Sequence, residues 1–296
     1  MIKRRAYAKI NLALDVLGKY PNGYHEVKMV MQTIDLYDEL SFEEFECKEN
    51  ATVEEKIKLV GKNCEELSLG NDNLIYKAAA KLEPEFPDGK GVIITLQKNI
   101  PVAAGMAGGS TDCAATLHGV NELFGLGMSV EQLCDIGVKL GADVPYCVMG
   151  GTMLAEGIGE KLSRLPDAPK MTLVVAKPEM GVSTKYVYEH LDAYDNPPHP
   201  DVDGMIEAIR NGDSSRVASG LGNILETVTI PACPEVKAIK ELLITEGAEG
   251  VLMSGSGPTV FAVFADVKKA EKAADVLRTN SPAQFVCVTG TCRGEQ

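Results

Sequence analysis

Apolar and polar residues alternate with period two through "AYAKINLALDVLG", which stops at Gly18 before the turn-forming "YPNG", so the pattern predicts a strand followed by a loop. "DELSFEEFE" and "EEKIKLVG" carry polar residues on one side and are predicted as further strands. "DNLIYKAAAKLEPEF" predicts a helix with Asp72 as its cap and Pro84 as its stop, and the β-branched "GVIITLQKNIPV" a strand that Pro101 closes. Cys113, Leu117, Val120 and Phe124 then recur at spacings of four, three and four. That is the period of a helix, for which Ser110 is the expected N-cap and Gly125 and Gly127 the end. Ser129 and Gln132 form a capping box for a second helix carrying Leu133, Ile136 and Leu140 and ending at Gly141. "GADVPYCVMGGTMLAEGIGEKL" is expected to run as loop, buried strand and loop.

The pattern restarts after about residue 165. "MTLVVAKP" is a strand, "STKYVYEHLD" and "DVDGMIEAIRNGD" are helices, and the Pro- and Asp-rich stretch between them is a surface loop. "EVKAIKELLITEG" predicts a helix, "GVLMSGSGPTVFAVF" two strands about a glycine turn, "KKAEKAADVLRT" a helix and "QFVCVTG" a last strand. The second half is therefore expected as an α+β unit of residues 166–296, behind a first unit of residues 1–165.

Between the strand ending at Pro101 and the helix that follows, eight of the nine positions from Ala103 to Thr111 are small. A strand, a small-residue turn and a helix start together can cradle an anion: amides point into the turn, the helix dipole adds partial positive charge, and absent side chains let phosphate oxygens approach. A turn packed tightly under another strand would look the same. The stretch does not fit the lysine-bearing phosphate loop of the common nucleotide hydrolases, because no Lys precedes Ser110. Nor does it fit the dinucleotide fingerprint, which needs a βαβ opening.

Charge and cysteine usage narrow the function classes. A net charge of −13 without a basic run excludes a duplex nucleic-acid binder, while a nucleotide remains possible as a substrate. The eight cysteines include no C-x-x-C pair and sit in apolar segments, which favours buried thiols in a reducing compartment over a metal site. The N-terminal apolar stretch is interrupted by Asn11 and Asp15, unlike a secretory signal, and no run is long enough for a membrane helix. The expectation is a cytoplasmic protein with no membrane or nucleic-acid partner, working as a monomer or weak homodimer on a small molecule.

"AKINLALDV", "PVAAGMAGGSTDCAATL", "GADVPYCVMGGT" and "MSGSGPTVFAVF", in this order, resemble the GHMP superfamily of galacto-, homoserine, mevalonate and phosphomevalonate kinases. "PNGYHEVKMVMQTIDLYDEL" and "GVSTKYVYEHLD" narrow the resemblance to the branch that phosphorylates a cytidine diphosphate conjugate of methylerythritol in the non-mevalonate isoprenoid pathway. The likeness spans about Ala6 to Thr289. It implies a two-domain α+β fold, with a ribosomal-protein-like nucleotide-binding unit, a ferredoxin-like second unit and the active site in the cleft between them. It also implies ATP and Mg²⁺.

The resemblance assigns the residues as follows. Asp143 is the base for the acceptor hydroxyl, and Lys9 beside it lowers its pKa and screens the transferred phosphoryl group. The ATP cradle takes Pro101, Val102, Ala103 and Ala104 on its strand side and Gly105, Met106 and Ala107 at its bend. Gly108, Gly109, Ser110 and Thr111 complete it at the helix start, with Ser110 or Thr111 near the metal. Because alanine tolerates positive φ poorly, the unusual backbone angles are expected at Gly105, Gly108 and Gly109. Asn73 is placed at the adenosine end, or caps the helix that it starts. The acceptor is held by Asn11, Tyr24, His25, Met31, Thr184 and Tyr188, with His25 on the cytosine edge, Tyr24 and Tyr188 on its faces and Met31 at one border of its pocket. Gly255 and Gly257 allow a close turn beneath the cleft. Two alternatives stay open: another kinase of the superfamily, of homoserine or mevalonate type, and a catalytically silent nucleotide-binding regulator. Retention of both Lys9 and Asp143 speaks against the second.

Overall fold

The computed structural model describes residues 1–65 and 67–294; residues 295 and 296 of the expected second unit lie outside them. Two long strands, β1 (Ile2–Lys19) and β2 (His25–Glu46), pair antiparallel and form the spine of the first sheet. After a short helix α1 (Val53–Lys56) come β3 (Ile57–Lys62), α2 (Leu74–Leu82) and β4 (Lys90–Gln97). The helices α3 (Gly108–Leu123), α4 (Val130–Gly137) and α5 (Val144–Met149) precede β5 (Thr152–Gly157) and β6 (Lys161–Arg164). The free edge of β2 is shared. β4 pairs with its C-terminal half and β5 with its N-terminal half, while β3 extends the sheet parallel to β4.

The second half opens with β7 (Thr172–Pro178), α6 (Thr184–Leu191), α7 (Val202–Arg210) and α8 (Ser214–Ser219). It continues with β8 (Gly222–Asn223), α9 (Glu226–Ala232), α10 (Pro234–Thr245), β9 (Gly250–Met253), β10 (Val260–Phe264), α11 (Val267–Asn280) and β11 (Ala283–Gly290). Its sheet runs β11-β7-β10-β9, antiparallel throughout, which is the strand order of a ferredoxin-like unit. Both faces are covered. Val174, Ala176, Val260 and Ala262 join one core with α10 and α11, whereas Leu173, Val175, Phe261 and Val263 join a second core with β1 and α7. No helix among the described residues is long and apolar enough to cross a membrane.

That second core explains why β1 is not half-buried as its alternation predicts. From Ala8 to Val16 every residue is buried, because the second sheet and α7 cover the face that would otherwise meet water. Register shifts fall between Tyr7 and Lys9 and again between Asn11 and Ala13. Ala6, Leu14 and Val16 belong to the helix-side core, but Ala8, Ile10 and Leu12 belong to the other. Each bulge inverts the parity of the strand. Lys9 and Asn11, between the two, are thereby turned toward the helix-bearing side.

Three local expectations are corrected. Helix α2 is capped by Asn73, whose Oδ1 accepts from Ile75 N at 2.9 Å, while Asp72 accepts from the Ser68 hydroxyl instead. Helix α3 begins at Gly108 behind Ala107, so Ser110 lies in its first turn and is not its N-cap. The strand expected within "VPYCVM" is the helix α5, with Pro145 in its first turn. Residues 144–148 are all buried, so no polar face marks a helical period.

Helix α3 lies on β2 through a missing side chain. A Cβ at Gly119 would stand 2.3 Å from the buried Phe42 ring. Gly119→Ala gains about 1 kcal/mol of helix propensity but overpacks a closed contact, at a cost of about 1–3 kcal/mol. The expected result is a lower urea midpoint with an unchanged slope; a raised midpoint would contradict this packing.

Candidate active site

The loop from β4 to α3 rests on a buried ammonium. Lys98 Nζ donates to Asp112 at 2.8 Å and to Asp38, and all three side chains are almost fully buried. Asp38 Oδ1 also accepts from the backbone of Asn99 and Ile100, at 2.6 and 2.8 Å. Burial alone would lower the Lys98 pKa, but the two carboxylates outweigh it and hold the ammonium charged; burial pushes Asp112 well up. Sequence reasoning missed this group, because a lysine at the end of a strand gives no sign of burial.

Above it, the loop carries positive φ at Ala103, Gly105 and Ala107, not at Gly108 and Gly109, which are helical. Two alanines thus take a left-handed conformation that costs roughly 1–2 kcal/mol each. Gly105 is needed for space as well: a Cβ there would lie 2.5 Å from Ser254 O, and its own carbonyl accepts from Ser254 Oγ at 3.0 Å. Gly108 must be small because a Cβ would come within 3.1 Å of Lys98 Nζ. Ala104 and Met106 are buried in the second core, and Met106 O accepts from Lys9 N.

A cleft of about 870 Å³ opens between loop, β1, α5 and α6, within the range of small-molecule sites. Gly105, Ala107 and Ser110 line it. Pro101 and Val102 do not; they border a separate hollow of about 370 Å³ beside Lys98 and Lys177. Thr111 is also outside the cleft, its hydroxyl being donated to Tyr7 O at 2.7 Å, which leaves Ser110 as the hydroxyl facing the cavity. Asn73 commits both ends of its amide to the start of α2, to Ile75 N and to Ser68 O.

Lys9 and Asp143 line the same cleft. Lys9 Nζ donates to Asn11 Oδ1 at 2.7 Å, and Gly255, at the floor beside them, takes a φ of +58° that favours glycine. Asp143 immediately precedes α5 without capping it, and among the described residues its carboxylate accepts no hydrogen bond. Both charges reach Cys147 below them: burial drives that thiol well up, Asp143 adds to the shift and Lys9 opposes it.

The other end of the cleft is built on α6. Thr184 Oγ1 meets Ser256 Oγ at 2.8 Å, and Tyr188, one turn on, lies with its ring centroid 5.1 Å from that of His25. Burial, with the Asp143 charge, pushes the Tyr188 phenol up to about 12. His25 Nε2 is 2.8 Å from Asp192 Oδ1, and Lys19 Nζ donates to Asp192 Oδ2 at 2.6 Å. Tyr24 is 60% exposed at the cleft mouth. Met31 is not at the site: it is fully buried in the core opposite Asn11 on the neighbouring strand. Met29 lines the cleft in its stead, its sulfur accepting from Asn11 Nδ2 at 3.3 Å. Lys19 and Ser256 also line the cleft, and the pairings of Ser256 with Thr184, of Lys19 with Asp192 and of Asp192 with His25 are revealed only by the tertiary structure.

A cradle of small residues, the Lys9 ammonium, the unpaired Asp143 carboxylate and an aromatic end pocket share one cavity. The model of the GHMP kinases N terminal domain matches residues 73–151, and that of the GHMP kinases C terminal matches residues 205–283. The chain belongs to the GHMP kinases. This GHMP kinase is 51% identical, over 92% of its length and 91% of the relative's, to a 4-diphosphocytidyl-2-C-methyl-D-erythritol kinase of Lachnoclostridium phytofermentans. It is 48% identical, over 98% of both chains, to one from Lachnospira eligens. A solved 4-(cytidine 5'-diphospho)-2C-methyl-D-erythritol kinase superposes on all of it with a TM-score of 0.81 at 31% identity. A mevalonate kinase of L. major in complex with R-mevalonate gives 0.73 at 16% identity, a likeness of fold.

The loop of this GHMP kinase depends on the ammonium beneath it. Lys98→Met would leave the carboxylates of Asp38 and Asp112 facing each other in the core, and breaking such a buried pair costs about 3–5 kcal/mol. Urea unfolding should register a loss of that size. A loss under about 1 kcal/mol would show that the lysine is dispensable.

Proposed function

We propose that the chain transfers the γ-phosphoryl group of ATP to the 2-hydroxyl of 4-diphosphocytidyl-2-C-methyl-D-erythritol, giving the 2-phosphate and ADP in the non-mevalonate isoprenoid pathway. The observation that carries this reading is the presence, in one cleft, of Lys9, Asp143 and Ser110 at one end and of His25 and Tyr188 at the other. Names borne by relatives up to 51% identical over nearly the whole chain supply the substrate.

In the proposed step the acceptor oxygen forms the new bond to γ-phosphorus while the bond to the bridging oxygen breaks and ADP departs. Asp143 orients the hydroxyl and takes its proton; an unpaired carboxylate is free to do so. Lys9, with its stem buried and its head held by Asn11, places a fixed positive charge near the transferred group. The amides at the start of α3, beside Gly105 and Ala107, receive the phosphates. Mg²⁺ fits the donor set in the form in which it usually accompanies a nucleotide, with the Ser110 hydroxyl as protein ligand and the phosphates as the others, and it would neutralise charge on the β- and γ-oxygens.

At the far end, Tyr188 and Tyr24 offer aromatic surface and His25 an edge for hydrogen bonding, which suits a pyrimidine and has no purpose for a bare polyol or amino acid. The net charge of −13 without a basic run and the cysteines without a C-x-x-C pair support the further proposal of a cytoplasmic protein, working as a monomer or weak homodimer. We divide the chain at residues 165 and 166, in the crossing between β6 and β7, with the cleft between the two units.

Release of ADP should be seen with the cytidine conjugate and not with homoserine or mevalonate offered at the same concentration. Turnover of either of the latter at a comparable kcat/KM would overturn the assignment. Asp143→Asn keeps the shape of the side chain and should lower kcat by roughly 10²–10⁴-fold with nucleotide affinity little changed. A variant within threefold of the parent would remove Asp143 from the chemistry.

A further inference from the structure

We infer that Asp192 is a specificity-determining positioning residue, which fixes the tautomer of His25 so that the ring presents a hydrogen-bond acceptor to the cleft and thereby selects an amino-bearing over a keto-bearing pyrimidine. The inference rests on the proposed cytidine-conjugate reading of the site and adds to it the device that tells cytosine from uracil.

Asp192 caps the C-terminal end of α6 and touches two residues of the first sheet. Its Oδ2 accepts from the Lys19 ammonium at 2.6 Å and its Oδ1 lies 2.8 Å from His25 Nε2. The hydrogen bond from Lys19 holds the Asp192 carboxyl below the ordinary carboxylate range, with burial opposing it and His25 adding to it. An ionised carboxylate only accepts, so Nε2 must carry the proton. In a neutral imidazole the other nitrogen is then a lone-pair acceptor. Among the described residues nothing hydrogen-bonds to Nδ1, and the ring lines the cleft, packed against Tyr188. An acceptor at that position matches the exocyclic amino group of cytosine and repels the O4 oxygen of uracil.

Lys19 also decides what an amide would do in place of the carboxylate. Its ammonium has only donors, so in Asp192→Asn the amide oxygen faces Lys19 and the NH₂ faces His25. Nε2 must then accept, the proton moves to Nδ1, and the ring offers a donor to the base. Asp192→Glu keeps a carboxylate and serves as the conservative rescue.

The test uses the full-length enzyme, ¹⁵N-labelled at histidine, at pH 8. The His25 ring nitrogens report the tautomer without any substrate, and kcat/KM is measured separately with the cytidine conjugate and its uridine counterpart. Wild type and Asp192→Glu should show the Nε2–H form and a strong cytidine preference. Asp192→Asn should show the Nδ1–H form, with the cytidine-to-uridine ratio reduced about tenfold or more, the worth of one well-made hydrogen bond exchanged for an unpaired group. A wild-type ring that is protonated at Nδ1 would overturn the inference, even if Asp192→Asn failed to fold. So would an unchanged ratio in a folded Asp192→Asn whose tautomer had switched. If wild type does not turn over the cytidine conjugate at all, the proposed function fails, while the nitrogen spectra still judge the tautomer by themselves.

Discussion

The ammonium of Lys98, held between Asp38 and Asp112, is the constraint on which the small-residue loop at the Ser110 end of the cleft depends. It joins β2, the end of β4 and the second turn of α3 at one buried point. Because Asp38 also takes the amides of Asn99 and Ile100, the chain is pinned as it leaves the strand and again as it enters the helix. The few residues between have little freedom left. Positive φ at Ala103 and Ala107 becomes tolerable in such a loop, since the surrounding bonds over-determine its path. Two buried carboxylates against one ammonium would be a poor investment for stability alone. Here they hold a short segment of backbone in a shape that its own residues do not prefer.

The strands and helices with clear periods could be read from the sequence, and those whose period was erased by burial could not. The capping box at Ser129 and Gln132 and the helix bearing Thr184 and Tyr188 stand where their patterns place them, because one face of each is wet and the other dry. Helix α5 was hidden because the core surrounds it, so "VPYCVM" shows only apolar residues. The ferredoxin-like sheet is apolar for the same reason but was still legible, since its runs are short and β-branched and lie between turns.

The site was legible in its parts and not in its pairings. Lys9, Asn11, Ser110, Asp143, Thr184 and Tyr188 do converge on one cavity, and they were named from ordered motifs. Met31 failed through depth: it shares a side of β2 with Met29, but it is fully buried in the core, and Met29 has the place at the cleft. Thr111 failed through competition, because a backbone carbonyl of β1 claims its hydroxyl. Of the positive-φ residues Gly105 was placed correctly, but Ala103 and Ala107 were missed because glycine was taken as the marker of backbone strain, whereas Gly108 is helical and packs close above Lys98. Of these, Thr111 shows most directly how a partner distant in sequence decides the use of a residue whose type suited the chemistry.

The path of the chain has a mechanical consequence. After crossing from β6 to β7 the second half returns to the first sheet twice, where β8 pairs with Ala13 and Leu14 and where Thr291 bridges to Ile34. The segment beyond that bridge is held too, with Cys292 accepting from the Gln32 amide. A hinge opens easily when one strand of chain crosses it, because few bonds resist the rotation. The two returns, both stitched by backbone hydrogen bonds, add bonds that a rotation of one half against the other would have to break, so a wide hinge opening costs more here than in a chain crossed once.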